Sequence, residues 1–121
     1  MLRNLDGIIF YAHDLDTTVK FYQDMGLPLV LQQLGETPPF YTAQLDSGIS
    51  LIVDAVTPDD DQPEYAAGAT QISFRVEDLD TAIERALDKG AQLHAPKLQT
   101  HYGTRAILED PDKRLIELVE K

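Results

Sequence analysis

Two stretches of this chain are near copies of one another. Gly7-Ile8-Ile9-Phe10-Tyr11-Ala12-His13-Asp14-Leu15-Asp16-Thr17 and Gln71-Ile72-Ser73-Phe74-Arg75-Val76-Glu77-Asp78-Leu79-Asp80-Thr81 both read as an alternating strand running straight into a capped helix. Such a repeat constrains the fold more than any other feature, because each copy must build the same supersecondary unit. Across 13–26 against 77–90, Asp, Leu, Asp, Thr, Asp and Gly coincide, and the ends match again where 48–54 aligns with 114–120.

In each copy the local signals are explicit. Ile8, Phe10 and Ala12 alternate with Gly7, Ile9 and Tyr11, the period of a strand. Asp14 and Asp78 stand where a carboxylate accepts from the orphan amides of a first helical turn. Asp16 adds negative charge at the positive end of the helix dipole. Leu15, Val19 and Tyr22 form one apolar stripe, and Gly26 and Gly90 stop the two helices in the left-handed conformation. Phe21 lies off that stripe and is read as an exposed aromatic available to a partner chain. In the second helix Leu79, Ala82, Ile83, Ala86 and Leu87 predict a fuller apolar face.

Strands are predicted at 29–31, 40–45 and 49–53, with Asp46-Ser47-Gly48 as a hairpin turn. The matching turn in the second copy is Asp110-Pro111-Asp112-Lys113, before a strand on which Ile116 and Leu118 alternate with Glu117 and Val119. Residues 54–69, acidic and broken by Pro58, Pro63 and Gly68, read as a solvated linker. Residues 91–104 read as the least regular part, a loop carrying His94, His101 and Tyr102 on which binding groups can sit. The pattern is therefore α+β: two tandem βαβββ modules, at 3–55 and 69–121, joined by a linker at 56–68.

Composition narrows the function. The 121 residues include 21 acidic against 10 basic, a net charge of −11. That field repels phosphate backbones and argues against nucleic-acid partners. The absence of cysteine removes disulfides, thiol nucleophiles and thiolate metal sites. No apolar run approaches the roughly 18 residues that span a bilayer, and the first residues lack a signal-peptide core. A soluble, cytoplasmic protein without a membrane partner is expected.

The chain resembles the vicinal oxygen chelate superfamily, which includes glyoxalase I, bleomycin-resistance proteins and extradiol dioxygenases. The pieces that carry the resemblance are Asp14-Leu15-Asp16, Phe21-Tyr22, Gly26-Leu27, Tyr102-Gly103-Thr104-Arg105, Asp110-Pro111-Asp112 and Ile116-Glu117-Leu118, in this order and spacing. Lys113 departs from the glycine usual after Asp-Pro-Asp. The resemblance implies that each module curls its sheet into a half-barrel, so that a curved mixed sheet surrounds a cavity, and that the chain pairs as a homodimer. It places Ile72, Phe74 and Val76 toward the helix and Gln71, Ser73 and Arg75 toward the cavity.

Metal-dependent members place ligands at four positions, which here read Gly7, Ser50, Gln71 and Glu117. A divalent cation needs three or four protein ligands, and serine cannot replace a proton-transferring carboxylate near neutral pH. The expected cofactor is therefore none, with a divalent metal on Gln71 and Glu117 as the alternative. The expected function is metal-independent binding of a small organic molecule. Tyr11, Tyr41 (or Phe40), Ser50, Gln71, Arg75, His101, Tyr102, Arg105 and Glu117 are the candidate contacts, in a cavity with apolar walls. Arg75 faces either an anionic ligand or Glu117 itself, the mutual pairing that buried charges usually find. Two other readings are a metal-dependent lyase, isomerase or dioxygenase, and a small interaction module with a vestigial cavity.

Overall fold

A computed structural model describes residues 3, 5–55, 72–100 and 102–121. The expected linker at 56–68 lies outside them. The chain divides into two compact units, Met1–Asp60 and Asp61–Lys121. Both have the βαβββ order expected from the repeat.

The first unit runs β1 (Gly7–Ala12), α1 (Leu15–Asp24), β2 (Val30–Gln32), β3 (Phe40–Gln44) and β4 (Ser50–Ala55). Its mixed sheet has the order β1-β4-β3-β2. The β1–β4 pair is parallel, with Gly7 opposite Ser50, Ile9 opposite Ile52 and Tyr11 opposite Asp54. The other pairs are antiparallel. Alternation decides the faces: Phe10, Ala12, Ala43, Leu51 and Val53 are buried, while Ile9 and Tyr11 stay exposed.

Asp14 caps α1, its carboxylate accepting from the Thr17 amide at 3.0 Å. Gly26 follows with φ +106°. The buried face of α1 is wider than the predicted stripe, comprising Thr18, Val19, Phe21 and Tyr22. Phe21 is only 2 % exposed and meets Tyr22 edge-on with ring centroids 5.0 Å apart. Tyr22 in turn lies 5.4 Å from Phe10 of β1. The expectation that Phe21 faces a partner chain is therefore wrong. A helix laid on a sheet buries more than one i, i+4, i+7 line, and a large ring at the edge of the stripe turns inward.

The second unit runs β5 (Ile72–Arg75), α2 (Leu79–Asp88), β6 (Gln92–Thr100), β7 (Gly103–Glu109) and β8 (Leu115–Glu120). Its sheet has the order β5-β8-β7-β6, with β5–β8 parallel. Asp78 caps α2 through the Thr81 amide at 3.1 Å. The Leu79 amide donates to Glu120 Oε1 at 3.0 Å, so the end of β8 also supplies an acceptor to the start of α2. Ala86, Ala106, Leu108, Ile116 and Leu118 form the core with Leu79. Contrary to the fuller apolar face predicted for α2, Leu79 and Ala86 are its buried residues, and Leu87 is 43 % exposed.

Residues 92–100 form a strand, where an irregular loop was expected. Its pairing with β7 shifts register between Leu93 and Ala95 and again between Ala95 and Leu98, around Pro96. Pro96 and the two bulges sit on an edge strand, the place where sheets tolerate a missing donor. They break the period-two pattern by which a strand is read.

The two turns are built alike. Around Gly48 (φ +91°) the Leu45 amide donates to the Ile49 carbonyl at 2.9 Å. In the second unit the Asp110 amide donates to the Arg114 carbonyl at 2.8 Å, and Lys113 takes the left-handed conformation with φ 67°. Asp110 holds this turn together. Its carboxylate is buried and accepts from the amides of Asp112 and Arg114 and from Arg114 Nη1 at 2.8 Å.

Candidate functional site

The sheet face turned away from α2 carries the one buried carboxylate of the described strands. Glu117, on β8, is 8 % exposed, and β8 is flanked by β5 and β7. Strand alternation sends Ile116 and Leu118 into the core under α2, so Glu117 must point to the other face. There it meets two hydroxyls. Ser73 Oγ, directly opposite on β5, donates to Glu117 Oε1 at 2.7 Å. Tyr102 Oη donates to Glu117 Oε2 at 2.8 Å.

Tyr102 is aimed by the turn it occupies. The Thr100 hydroxyl accepts from the Tyr102 amide at 3.2 Å and donates to the Gly103 carbonyl at 2.7 Å. Gly103 is the position where only glycine fits. Its φ is +140°, and a Cβ there would lie 2.6 Å from the Glu120 carbonyl oxygen and 3.1 Å from Val119 Cγ2. This close approach brings β7 onto β8 and Tyr102 over Glu117.

The bond to Glu117 is the largest influence on the Tyr102 hydroxyl and raises its pKa above the ordinary 10.0, helped by desolvation and by the carboxylate's charge. A smaller opposing effect comes from Thr100 and from the charge of Arg105. At neutral pH the phenol is therefore a fixed donor, not a base. Chemically the arrangement presents hydrogen-bonding groups, two hydroxyls held on one carboxylate.

Arg75 and Arg105 lie one row further along the same face. Each is directly opposite Val119, Arg75 on β5 and Arg105 on β7. Arg105 Nη1 donates to the Pro96 carbonyl at 3.3 Å. Among the described residues Arg75 and Glu117 form no ion pair, so of the two readings left open for Arg75 the pairing with Glu117 is not the one the structure contains. The two hydroxyls satisfy the carboxylate instead.

In the first unit the corresponding face carries Gly7, Ile9 and Tyr11 on β1 with Ser50, Ile52 and Asp54 on β4. Tyr11 and Ser50 are on the face expected for them. Tyr41 is not: it lies opposite Val53, which is completely buried against the helix side. Phe40, the stated alternative, takes the helix-free face. Gln71 and His101 lie outside the described residues. Ser73 is the contact that the sequence alone does not single out. Alternation put it on the correct face, but only the β5–β8 register shows that it stands across from Glu117.

Register also corrects a correspondence between the copies. Ile9 and Ser73 stand equally far ahead of their caps Asp14 and Asp78, and Ile9 pairs with Ile52 as Ser73 pairs with Glu117. The counterpart of Glu117 is therefore Ile52, not Ser50. The match of 48–54 with 114–120 is one residue out of step with the strand pairing, and a slip of one exchanges the faces.

Of the positions at which a divalent metal is held in the resemblance, Gln71 lies outside the described residues and the described ones offer one carboxylate. Gly7 has no side chain, and a Cβ there would lie 3.3 Å from the Ser50 carbonyl oxygen. Ile52 is hydrocarbon, and both oxygens of Glu117 already accept from protein hydroxyls. Among the described residues no three His, Cys, Asp or Glu side chains gather.

On the other side of the second unit, a shallow groove of about 500 Å³ runs between α2 and β6, lined by Asp80, Ile83, Glu84, Leu93, Pro96 and Lys97. Lys97 bridges to Asp80 there at 2.7 Å, an exposed ion pair of the kind that contributes little. Among the described residues no helix is long and apolar enough to cross a membrane.

Several solved structures share this fold. A glyoxalase-related enzyme from Fulvimarina pelagi aligns with a TM-score of 0.78 at 21 % identity, covering 99 % of this chain and 89 % of its own. Hypothetical protein SA1046 from S. aureus aligns at 0.75 and 14 % identity, with 100 % and 99 % covered. TnmS3, an antibiotic binding protein from Streptomyces sp. CB03234, aligns at 0.73 and 21 % identity, with 98 % and 96 % covered. At these identities the likeness is one of fold. No curated protein matches the sequence. The family model for the Glyoxalase/Bleomycin resistance protein/Dioxygenase superfamily matches residues 4–118. A match over nearly the whole sequence, on a fold that agrees with it, means that this chain belongs to that superfamily.

Proposed function

We propose that the chain binds a small organic molecule without a metal, using the helix-free face of its second sheet as the polar anchor of the site. The observation that carries this reading is the state of Glu117. A buried carboxylate whose two oxygens each accept from a protein hydroxyl is arranged as a hydrogen-bonding wall. Each oxygen keeps a further lone pair with which it can accept from a ligand donor. In the first unit the equivalent row is Ile9 and Ile52, so carboxylate chemistry has no second participant there. On the first unit's own sheet, exposed Ile9 and Tyr11 are apolar and aromatic surface of the kind that ligands cover.

The similarity to an antibiotic binding protein from Streptomyces supports the same reading at the level of fold. A homodimer in the cytoplasm is part of the proposal. Exposed Val30 and Leu31 on the edge strand β2 support a pairing surface there, in place of Phe21.

A thermal-shift panel of small metabolites, run with and without chelator, tests this function. A true ligand at a hundred times its Kd stabilises by about 2.7 kcal/mol, and the shift is the same in the presence of EDTA. Shifts that appear only when a divalent metal is added would overturn the proposal, as would a panel in which nothing binds.

A further inference from the structure

We infer that Arg75 and Arg105 form a clamp for the carboxylate of the ligand, centred over Val119. The two arginines are opposite the same residue on the central strand, one from each side. They therefore form an Arg–Val–Arg row across three adjacent strands, on the face that carries Glu117. Their Cα atoms are two strand spacings apart, about 9.6 Å, and an arginine side chain is longer than half that gap. Arg105 holds the Pro96 carbonyl of β6, on the side of β7 away from Val119. Turning it inward brings both guanidinium groups within reach of a ligand above Val119, which is small, apolar and only 4 % exposed. No polar group of the central strand competes for them there.

The surrounding charges leave this row uncompensated. Among the described residues neither arginine forms an ion pair. Glu117, one row away on the same face, is held by Ser73 and Tyr102. Glu120 turns to the other face and accepts from the Leu79 amide. Glu109 is on the β7 face of Arg105 but two rows further along, opposite Leu115. The one hydrogen bond from Arg105, to the Pro96 carbonyl, leaves the rest of its planar fork for an acceptor.

In a chain with 21 acidic and 10 basic residues, two arginines share a row that no acid of the sheet neutralises. The acidic field of the whole molecule disfavours anions in proportion to their charge, so it weighs less on a monocarboxylate than on a doubly charged phosphate. A carboxylate is also the planar partner that matches guanidinium forks. The influence of Arg105 on the Tyr102 hydroxyl shows that this row and the Glu117 row act within electrostatic reach. One row to the next is two residues, about 6.6 Å along the strand. The ligand class is accordingly an organic monocarboxylate with a hydroxyl or amine roughly that far from the acid, donating toward Glu117.

The inference rests on the proposed small-molecule binding, and calorimetry with matched probes separates the two. The probes are 4-hydroxybenzoate and its neutral counterpart 4-hydroxybenzamide, titrated at physiological salt into the wild type, Arg75→Gln, Arg105→Gln and the double variant. The clamp predicts that the acid binds the wild type at least tenfold more tightly than the amide. Each single variant reduces that preference several-fold, the double variant abolishes it, and amide affinity is unchanged throughout. Arg75→Lys keeps part of the preference, since it keeps a charge without the fork. Equal binding of acid and amide by the wild type overturns the clamp while leaving the binding function standing. So does an equal loss of both probes in the variants, and so does an absence of binding by both at millimolar concentration. The binding function itself is decided by the thermal-shift panel run with and without chelator.

Discussion

Glu117 brings a negative charge to a nearly buried position on the central strand, and the side chains that answer it are hydroxyls. Ser73 and Tyr102 each occupy one oxygen, which removes the desolvation cost an unpaired carboxylate would carry. Tyr102 then acquires a pH dependence. Its bond to Glu117 raises the phenol pKa, so its contribution to stability is fully present below the unfolded value near 10 and is lost as pH rises through the higher folded value. Denaturant titrations between pH 8 and 11 are expected to show wild-type stability falling above about pH 10 more steeply than that of Tyr102→Phe. Parallel curves would detach the phenol from Glu117.

Two backbone positions make equally specific predictions. Gly103→Ala places a Cβ against the Glu120 carbonyl at a φ that L residues avoid, and is expected to lower stability by at least about 2 kcal/mol. It also displaces Tyr102, so the high-pH loss of stability should weaken in the same variant. Lys113 sits in the left-handed region where a side chain costs about 1–2 kcal/mol. Lys113→Gly recovers this less the extra chain entropy of glycine, a net gain of about 0.5–1 kcal/mol, read as a higher denaturant midpoint with an unchanged slope.

At the scale of elements, the strand–helix starts were fully legible because their signals are local. Period two over 7–12, a capping Asp and a terminal glycine each act within a few residues. The features that escaped depend on what an element packs against. Phe21 looks peripheral on a helical wheel, yet the sheet beneath α1 is broad enough to take it, and Tyr22 supplies an edge-on partner. Phe21→Ala is expected to cost about 3–5 kcal/mol of folding stability, measured by chemical denaturation. A variant of normal stability and altered subunit count would instead restore Phe21 to a surface. β6 escaped for a different reason. Pro96 and two register shifts erase the alternation that announces a strand, although its partner β7 keeps it paired. Faces were mostly legible, as Tyr11, Ser50, Arg75, Arg105 and Glu117 show, whereas Tyr41 was assigned to the wrong one. Which residue stands opposite which was not legible, because a register is set jointly by two strands and a turn.

For the whole molecule, the repeat announced two βαβββ units, and the family match over residues 4–118 agrees with them. The same repeat shows how the two copies have diverged in chemistry. Where the second copy has Ser73 opposite Glu117, the first has Ile9 opposite Ile52. Where the second has Arg75 opposite Val119, the first has Tyr11 opposite Asp54. The second copy thus carries a carboxylate held by hydroxyls and a pair of arginines, and the first carries Ile9, Ile52 and Tyr11 beside Asp54. Among the described residues neither face gathers three His, Cys, Asp or Glu side chains, and binding is proposed to proceed without a metal.

Native mass spectrometry on untagged protein, purified without chelator, tests this most directly. The account predicts a chain free of stoichiometric divalent metal that takes up a small organic ligand equally well before and after EDTA treatment. A retained divalent ion at one per chain, whose removal abolishes ligand uptake, would contradict it.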